Sequence, residues 1–150
     1  MIIAVDFDGT IVDNRYPEIG QEVPFAVDTL KMLIRDRHRL ILWTCREGRL
    51  LDDAVQWCRE HGIEFYAVNR DYPEETTDNN PHFSRKLKAD LFIDDRSIGG
   101  LPDWGTIYRM VSRGKKWHHL IEEAYSEQKD YDSPALLGHQ HHRPWFQFWK

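Results

Sequence analysis

Two apolar runs that end in acid constrain this chain more than any other feature. Ile2-Ile3-Ala4-Val5 leads straight into Asp6-Phe7-Asp8-Gly9-Thr10, and Leu91-Phe92-Ile93 leads into Asp94-Asp95-Arg96. A short unbroken apolar run reads as a strand buried on both faces, because a half-buried strand would alternate. Burying both faces requires helices on either side, so these runs point to a parallel sheet between helical layers. Side chains alternate along a strand with period two. Asp6 and Asp8 therefore face one side, roughly 6 to 7 Å apart at their Cα atoms if both are extended. Gly9 frees the backbone for a tight loop after them, although Asp-x-Asp-Gly is also what a plain turn looks like.

The segments between the runs fill in the same architecture. Ile11 to Glu22 is polar and turn-rich, and a helix is expected from Pro24 through Ala26, Leu30, Leu33 and Ile34 to the basic stretch ending at Arg39. Leu40-Ile41-Leu42-Trp43 is a further apolar run, ending at Thr44. A second helix with Leu50, Leu51, Ala54, Val55 and Cys58 on one face is expected to stop at Gly62. Phe65 to Val68 reads as a third strand, Asn69 to Arg85 as a long surface loop, Leu91 to Ile93 as a fourth strand, and Thr106-Ile107-Tyr108 as a short fifth. Trp117 to Glu127 reads as another helix. The expected fold is α/β, a single Rossmann-like three-layer domain over residues 1–128 with a doubly wound, mainly parallel sheet, followed by a tail over 129–150.

Bulk properties exclude several classes. With 150 residues and a net charge of −5, neither sign dominates, so nucleic acid is not indicated as a partner. No apolar run approaches the roughly 18 residues of a membrane span, and the chain opens directly into a strand, so a cytoplasmic location without a membrane partner is expected. Cys45 and Cys58 have no metal-type spacing and read as reduced packing residues.

In an open parallel sheet the site lies at the carboxyl ends of the strands. That edge would collect Asp6, Asp8, Thr44, Asp94 and Asp95. Like charges at about 4 Å and an effective dielectric near 20 repel by on the order of 4 kcal/mol per pair, so a cation is needed among them. Oxygen ligands without thiolate or imidazole favour a hard ion, and Mg²⁺ suits a site that must leave room for water and phosphate. Thr44 is either a hydroxyl donor to substrate or the N-cap of the helix that follows.

Asp6-Phe7-Asp8-Gly9-Thr10, Thr44, a lysine before the fourth strand and Asp94-Asp95 after it resemble the four motifs of the haloacid dehalogenase-like superfamily, in its phosphohydrolase branch. The resemblance covers about Met1 to Tyr108. It implies Asp6 as a nucleophile that forms an aspartyl-phosphate and Asp8 as the general acid and then base. It further implies Thr44 and a lysine as phosphoryl ligands, and Mg²⁺ held by Asp6, Asp94 and Asp95 with the main-chain carbonyl of Asp8. Arg85, Lys86 and Lys88 all lie in range for the lysine, and the family spacing selects Lys86 with Lys88 in reserve. Gly9, Thr10 and Arg46 are candidates for substrate contact, Arg46 being equally able to pair with Glu47 or Asp95. The intervals between motifs leave no room for a large cap domain, so an open site for a bulky or macromolecular phosphorylated substrate is implied.

A cysteine phosphatase is excluded by spacing, since the Arg its loop would need falls at Leu51. A receiver-like or phosphate-binding module is the alternative reading, and Asp8 argues against it because a phospho-acceptor has no use for a second acid. The aromatic residues Trp145, Phe146, Phe148 and Trp149 are expected to dock on the body or on a second copy of the chain. His139, His141 and His142 read as a flexible or appended tail rather than a metal site, and Arg109, Arg113, Lys115, Lys116 and His118 as a solvated basic segment.

Overall fold

Backbone hydrogen bonding joins the two acid-tipped runs directly. The computed structural model describes residues 1–79 and 86–114. Within them, β1 (Ile2–Val5) lies between β2 (Arg39–Leu42) and β4 (Leu91–Ile93), and β2 pairs outward with β3 (Ala67–Val68). The sheet order is β3-β2-β1-β4 and every pairing is parallel. Three helices accompany it among the described residues, α1 (Ala26–Arg35), α2 (Gly48–Glu60) and α3 (Trp104–Arg113). This is the single Rossmann-like arrangement expected.

The runs of β1 and β2 are buried as their lack of alternation requires, whereas the run of β4, expected to be buried on both faces, is not: at the outer position of the sheet Phe92 is exposed, Leu91 half-buried and Ile93 alone buried. Ile3, Val5, Leu40 and Leu42 are inaccessible to water, and on the opposite face Ala4, Ile41, Ala67 and Leu87 form a cluster against which Ile2, Trp43, Tyr66 and Ala89 pack. At the α2 terminus Gly62 has φ 75°, its N–H bonds Arg59 O and the Ile63 N–H bonds Cys58 O, which is the paired pattern a left-handed glycine makes possible. At α1 the helix begins after Pro24 rather than on it, and the Glu22 carboxylate accepts from the Val27 N–H at 3.1 Å, serving as the cap that Phe25 does not provide.

The expected fifth strand is a helix instead. Asp103 is its N-cap, with Oδ1 accepting from the Thr106 N–H at 2.9 Å, and Trp104 and Ile107 are buried one turn apart. Thr106-Ile107-Tyr108 on its own reads as a short strand, but Trp104, Ile107 and Val111 recur at helical spacing, and an acidic cap precedes them. The indole N–H of Trp104 donates to Thr10 O at 3.2 Å, fixing the start of α3 against the loop after β1.

The long loop after β3 is internally bonded as far as Asn79. Asn79 accepts from the Thr76 N–H at 2.8 Å and donates to Glu74 O at 2.9 Å, while the buried Glu75 carboxylate accepts from the Asp71 N–H. Met1–Tyr108 form one compact unit; Arg109–Lys150 group separately. The remainder of the loop, the helix expected over Trp117 to Glu127, and the His-rich and aromatic tail lie outside the described residues. No described helix is long and apolar enough to cross a membrane.

Removing the α3 cap tests the reassigned element. Asp103→Ala should lower stability by about 1 kcal/mol, read as a shift of the urea midpoint with the slope unchanged.

Candidate functional site

Strand order decides where the acids meet. β1 is the point at which the chain reverses its direction of growth across the sheet, since β2 lies on one side of it and β4 on the other. A crevice opens at the carboxyl ends of such a pair. The register Val5↔Ile93 continues into an Asp6 N–H to Ile93 O bond of 3.0 Å, so the next residues, Asp6 and Asp94, stand side by side. Carboxylate oxygens of Asp6, Asp94 and Asp95 all lie within 4.8 Å of one another.

Each acid is held in place by its own device. The Asp94 carboxylate accepts from the Arg96 N–H at 2.8 Å, and the Asp95 N–H donates to the Thr10 hydroxyl at 3.1 Å. Gly9, at φ 82°, is where the Asp95 carboxylate presses against the first loop: a Cβ there would come within 2.3 Å of Asp95 Oδ2. Asp95 Oδ1 is buried without a hydrogen-bond partner. Burial, followed by the charges of Asp94, Asp95 and Asp8, pushes the Asp6 carboxyl up to about 7, against a partly offsetting hydrogen bond from the Phe7 N–H. An orphaned buried carboxylate oxygen beside two further acids is the donor set that an oxygen-loving divalent cation completes. Asp6, Asp94 and Asp95 could hold one.

Asp8 stands apart from that cluster. Both its oxygens accept from the Arg46 guanidinium, Oδ2 from Nε and Oδ1 from Nη2, each at 2.7 Å. Its main-chain carbonyl, rather than the guanidinium-bound carboxylate, is what Asp8 could offer a metal. Arg46 is 1% exposed, also donates to Pro17 O at 2.9 Å and Glu18 O at 2.8 Å, and has the Phe7 and Tyr16 rings 5.2 and 5.3 Å from its guanidinium carbon. The Asp8 hydrogen bonds raise its proton affinity further above that of a free guanidinium. Its partner is thus neither Glu47 nor Asp95, and it does not reach outward as a free substrate ligand.

Thr44 follows β2 at the same sheet end. Its N–H donates to Asn69 Oδ1 at 2.9 Å, and Asn69 Nδ2 donates back to Thr44 O at 3.0 Å. Asn69, in the left-handed region at φ 52° and the first residue of the expected surface loop, is thus a positioning residue for Thr44. The rule that polar residues at strand ends build the site would have found it. The Thr44 hydroxyl accepts from the Arg46 N–H at 3.2 Å, whereas the N-cap of α2 is Glu47, so the capping alternative for Thr44 is set aside.

A cavity of about 460 Å³ gathers Asp6, Asp8, Thr44, Arg46 and Asp94, along with Asn14, Tyr16, Trp43, Cys45 and Arg96. Its size falls in the range of small-ligand sites. Cys45 is exposed in it rather than packed, while burial pushes the Cys58 thiol to about 12. Gly9 and Thr10 do not line the cavity; Thr10 is fully buried, and both serve to seat Asp95. Lys86 and Lys88 are not brought into it either. Lys86 is exposed with its ammonium over the Phe92 ring at 5.8 Å, and Lys88 is tied through its N–H to Asp71 at 2.7 Å.

No family model and no curated protein matches the chain. A solved structure does, that of a conserved protein from Bacteroides thetaiotaomicron, with 64% identity over 79% of this chain and 94% of that one and a TM-score of 0.73.

Three stability measurements check this picture of the site. Between the ordinary aspartate value of 3.8 and about 7, the folded chain holds a proton on Asp6 that the unfolded chain has lost. Stability of the metal-free protein should therefore fall as pH rises through that window and level off above it. Asp6→Asn removes the penalty, and in chelator at pH 7.5 it should unfold at higher urea by about 1 to 2 kcal/mol, the shift being discounted because water still reaches the side chain. Gly9→Ala should cost about 2 kcal/mol or more, from the positive φ and the contact with Asp95 together.

Proposed function

This chain belongs to the same family as the conserved Bacteroides protein, and we propose that it is a Mg²⁺-dependent phosphomonoester hydrolase of the haloacid dehalogenase-like kind. The observation that carries the reading is the convergence of Asp6, Asp94 and Asp95 within 4.8 Å, with Asp95 keeping one buried carboxylate oxygen that has no partner. Asp6, Asp94 and Asp95, with the main-chain carbonyl of Asp8, would hold the ion. When bound, Mg²⁺ supplies the positive charge that keeps Asp6 ionised near neutral pH and draws charge from the phosphoryl oxygens.

The chain's own residues do the rest. With Asp8 entering the cycle protonated, an Asp6 oxygen attacks phosphorus, the bond from phosphorus to the leaving oxygen breaks, and that oxygen takes the Asp8 proton. Water then attacks the phosphorus of the aspartyl-phosphate, Asp8 takes a proton from it, and the Asp6–phosphorus bond breaks to return Asp6 and release inorganic phosphate. Covalent catalysis of this form divides one difficult displacement into two easier ones. Thr44, fixed at both its N–H and its carbonyl by Asn69, presents a hydroxyl whose hydrogen remains free to donate to a phosphoryl oxygen. The intervals between the motifs are too short for a large cap domain, which supports an open site suited to a phosphate carried on a bulky or macromolecular substrate.

Phosphate release from a panel of phosphomonoesters tests the reading. Turnover should require Mg²⁺, stop in excess chelator, and fall at least about 10³-fold in Asp6→Asn. A full panel with no released phosphate, or an Asp6→Asn protein as active as the parent, would overturn it in favour of a phosphate-binding module.

A further inference from the structure

We propose that Arg46 is the positioning residue for proton transfer in this site, its guanidinium fixing the plane of the Asp8 carboxyl against the reacting oxygen. The inference rests on the phosphohydrolase reading and assigns a role that the motif pattern does not contain. Its basis is the saturation of one buried side chain. Four of the five guanidinium N–H groups of Arg46 have geometric use: two meet the two oxygens of Asp8 at 2.7 Å, and one each meets Pro17 O at 2.9 Å and Glu18 O at 2.8 Å. A full charge that is 1% exposed survives only when paired and hydrogen-bonded, as this one is through four of its five donors.

The consequence for Asp8 is orientational. A carboxylate at the end of a loop is free to turn about its side-chain bonds, whereas two parallel hydrogen bonds from a planar fork define a single plane for it. A carboxylate offers about four lone-pair directions, of which the fork uses two, so one on each oxygen remains for a leaving group or a water. Asp8 can therefore give and take a proton while held. Arg46 is itself fixed from the other side, since its N–H donates to the Thr44 hydroxyl at 3.2 Å. The fork thus ties the end of β1, the end of β2 and the Pro17-Glu18 segment into one frame. Lysine cannot replace it, because an ammonium has no plane to impose.

A leaving-group comparison separates positioning from mere support of the fold. In kcat/KM, 4-nitrophenyl phosphate needs little protonation of its departing oxygen, while a simple alkyl phosphate depends on it. Arg46→Lys in the full chain with Mg²⁺ should lose about 10²-fold on the alkyl ester and less than about 10-fold on the aryl ester. In an Asp8→Asn background the same substitution should cost no more than about 3-fold further on the alkyl ester, because the group it orients is already gone. Equal losses on both esters, or losses that multiply in the double variant, would overturn the proposal. Should Arg46→Lys fail to fold, Arg46→Gln, which keeps donors for the two carbonyls, carries the same comparison; failure of both to fold makes Arg46 a folding residue and also overturns it. An unaltered protein with no turnover would instead count against the hydrolase reading, so the two failures are told apart.

Discussion

Three carboxylates confined within 4.8 Å at the end of a parallel sheet repel one another, and the surroundings of the site are arranged so that they cannot move apart. Asp6 is fixed by the sheet itself, its N–H continuing the ladder to Ile93 O. Asp94 is fixed by the turn that follows β4, and Asp95 by the Thr10 hydroxyl and by the space that Gly9 leaves. Burial of the Asp6 carboxyl, with the charges of Asp94, Asp95 and Asp8 adding to it, is why Asp6 holds its proton up to about 7. Such strain is the ordinary signature of a site whose complement is a ligand rather than another part of the chain.

The neighbouring acid has been treated differently. Asp8 lies two residues from Asp6 but is neutralised from within by Arg46, so the chain separates two carboxylates of nearly identical sequence context into distinct environments. One is left short of positive charge and the other is fully matched. In the proposed reaction that division corresponds to a nucleophile that works beside a cation and a proton carrier that works beside a guanidinium. Environment, rather than residue type, assigns the two roles.

The loop regions follow from the same arrangement. Arg46 reaches the carbonyls of Pro17 and Glu18, and Trp104 reaches that of Thr10, so the segment after β1 is bonded to elements far along the chain. Asn69 does the same for Thr44 across the β2 and β3 ends. Loops that carry site residues need a rigid scaffold behind them, and here much of that scaffold consists of side-chain bonds to backbone carbonyls.

The sequence by itself determined the sheet and its acid edge. Unbroken apolar runs point to parallel strands, and a parallel sheet then puts all their following residues at one end, so Asp6, Thr44, Asp94 and Asp95 were legible without coordinates. Gly62 was legible as a helix stop because its reason is local. Tertiary structure alone decided the partners. Arg46 stands 38 residues from Asp8 and Asn69 stands 25 from Thr44, and no spacing rule links such pairs. The same holds for Gly9 and Thr10, whose work is to seat a carboxylate 85 residues beyond Thr10, and for Lys86, which the fold leaves over Phe92. Periodicity reports which way a side chain faces relative to its own element; which oppositely charged group it meets depends on how the elements are wound together, and that is a property of the folded chain.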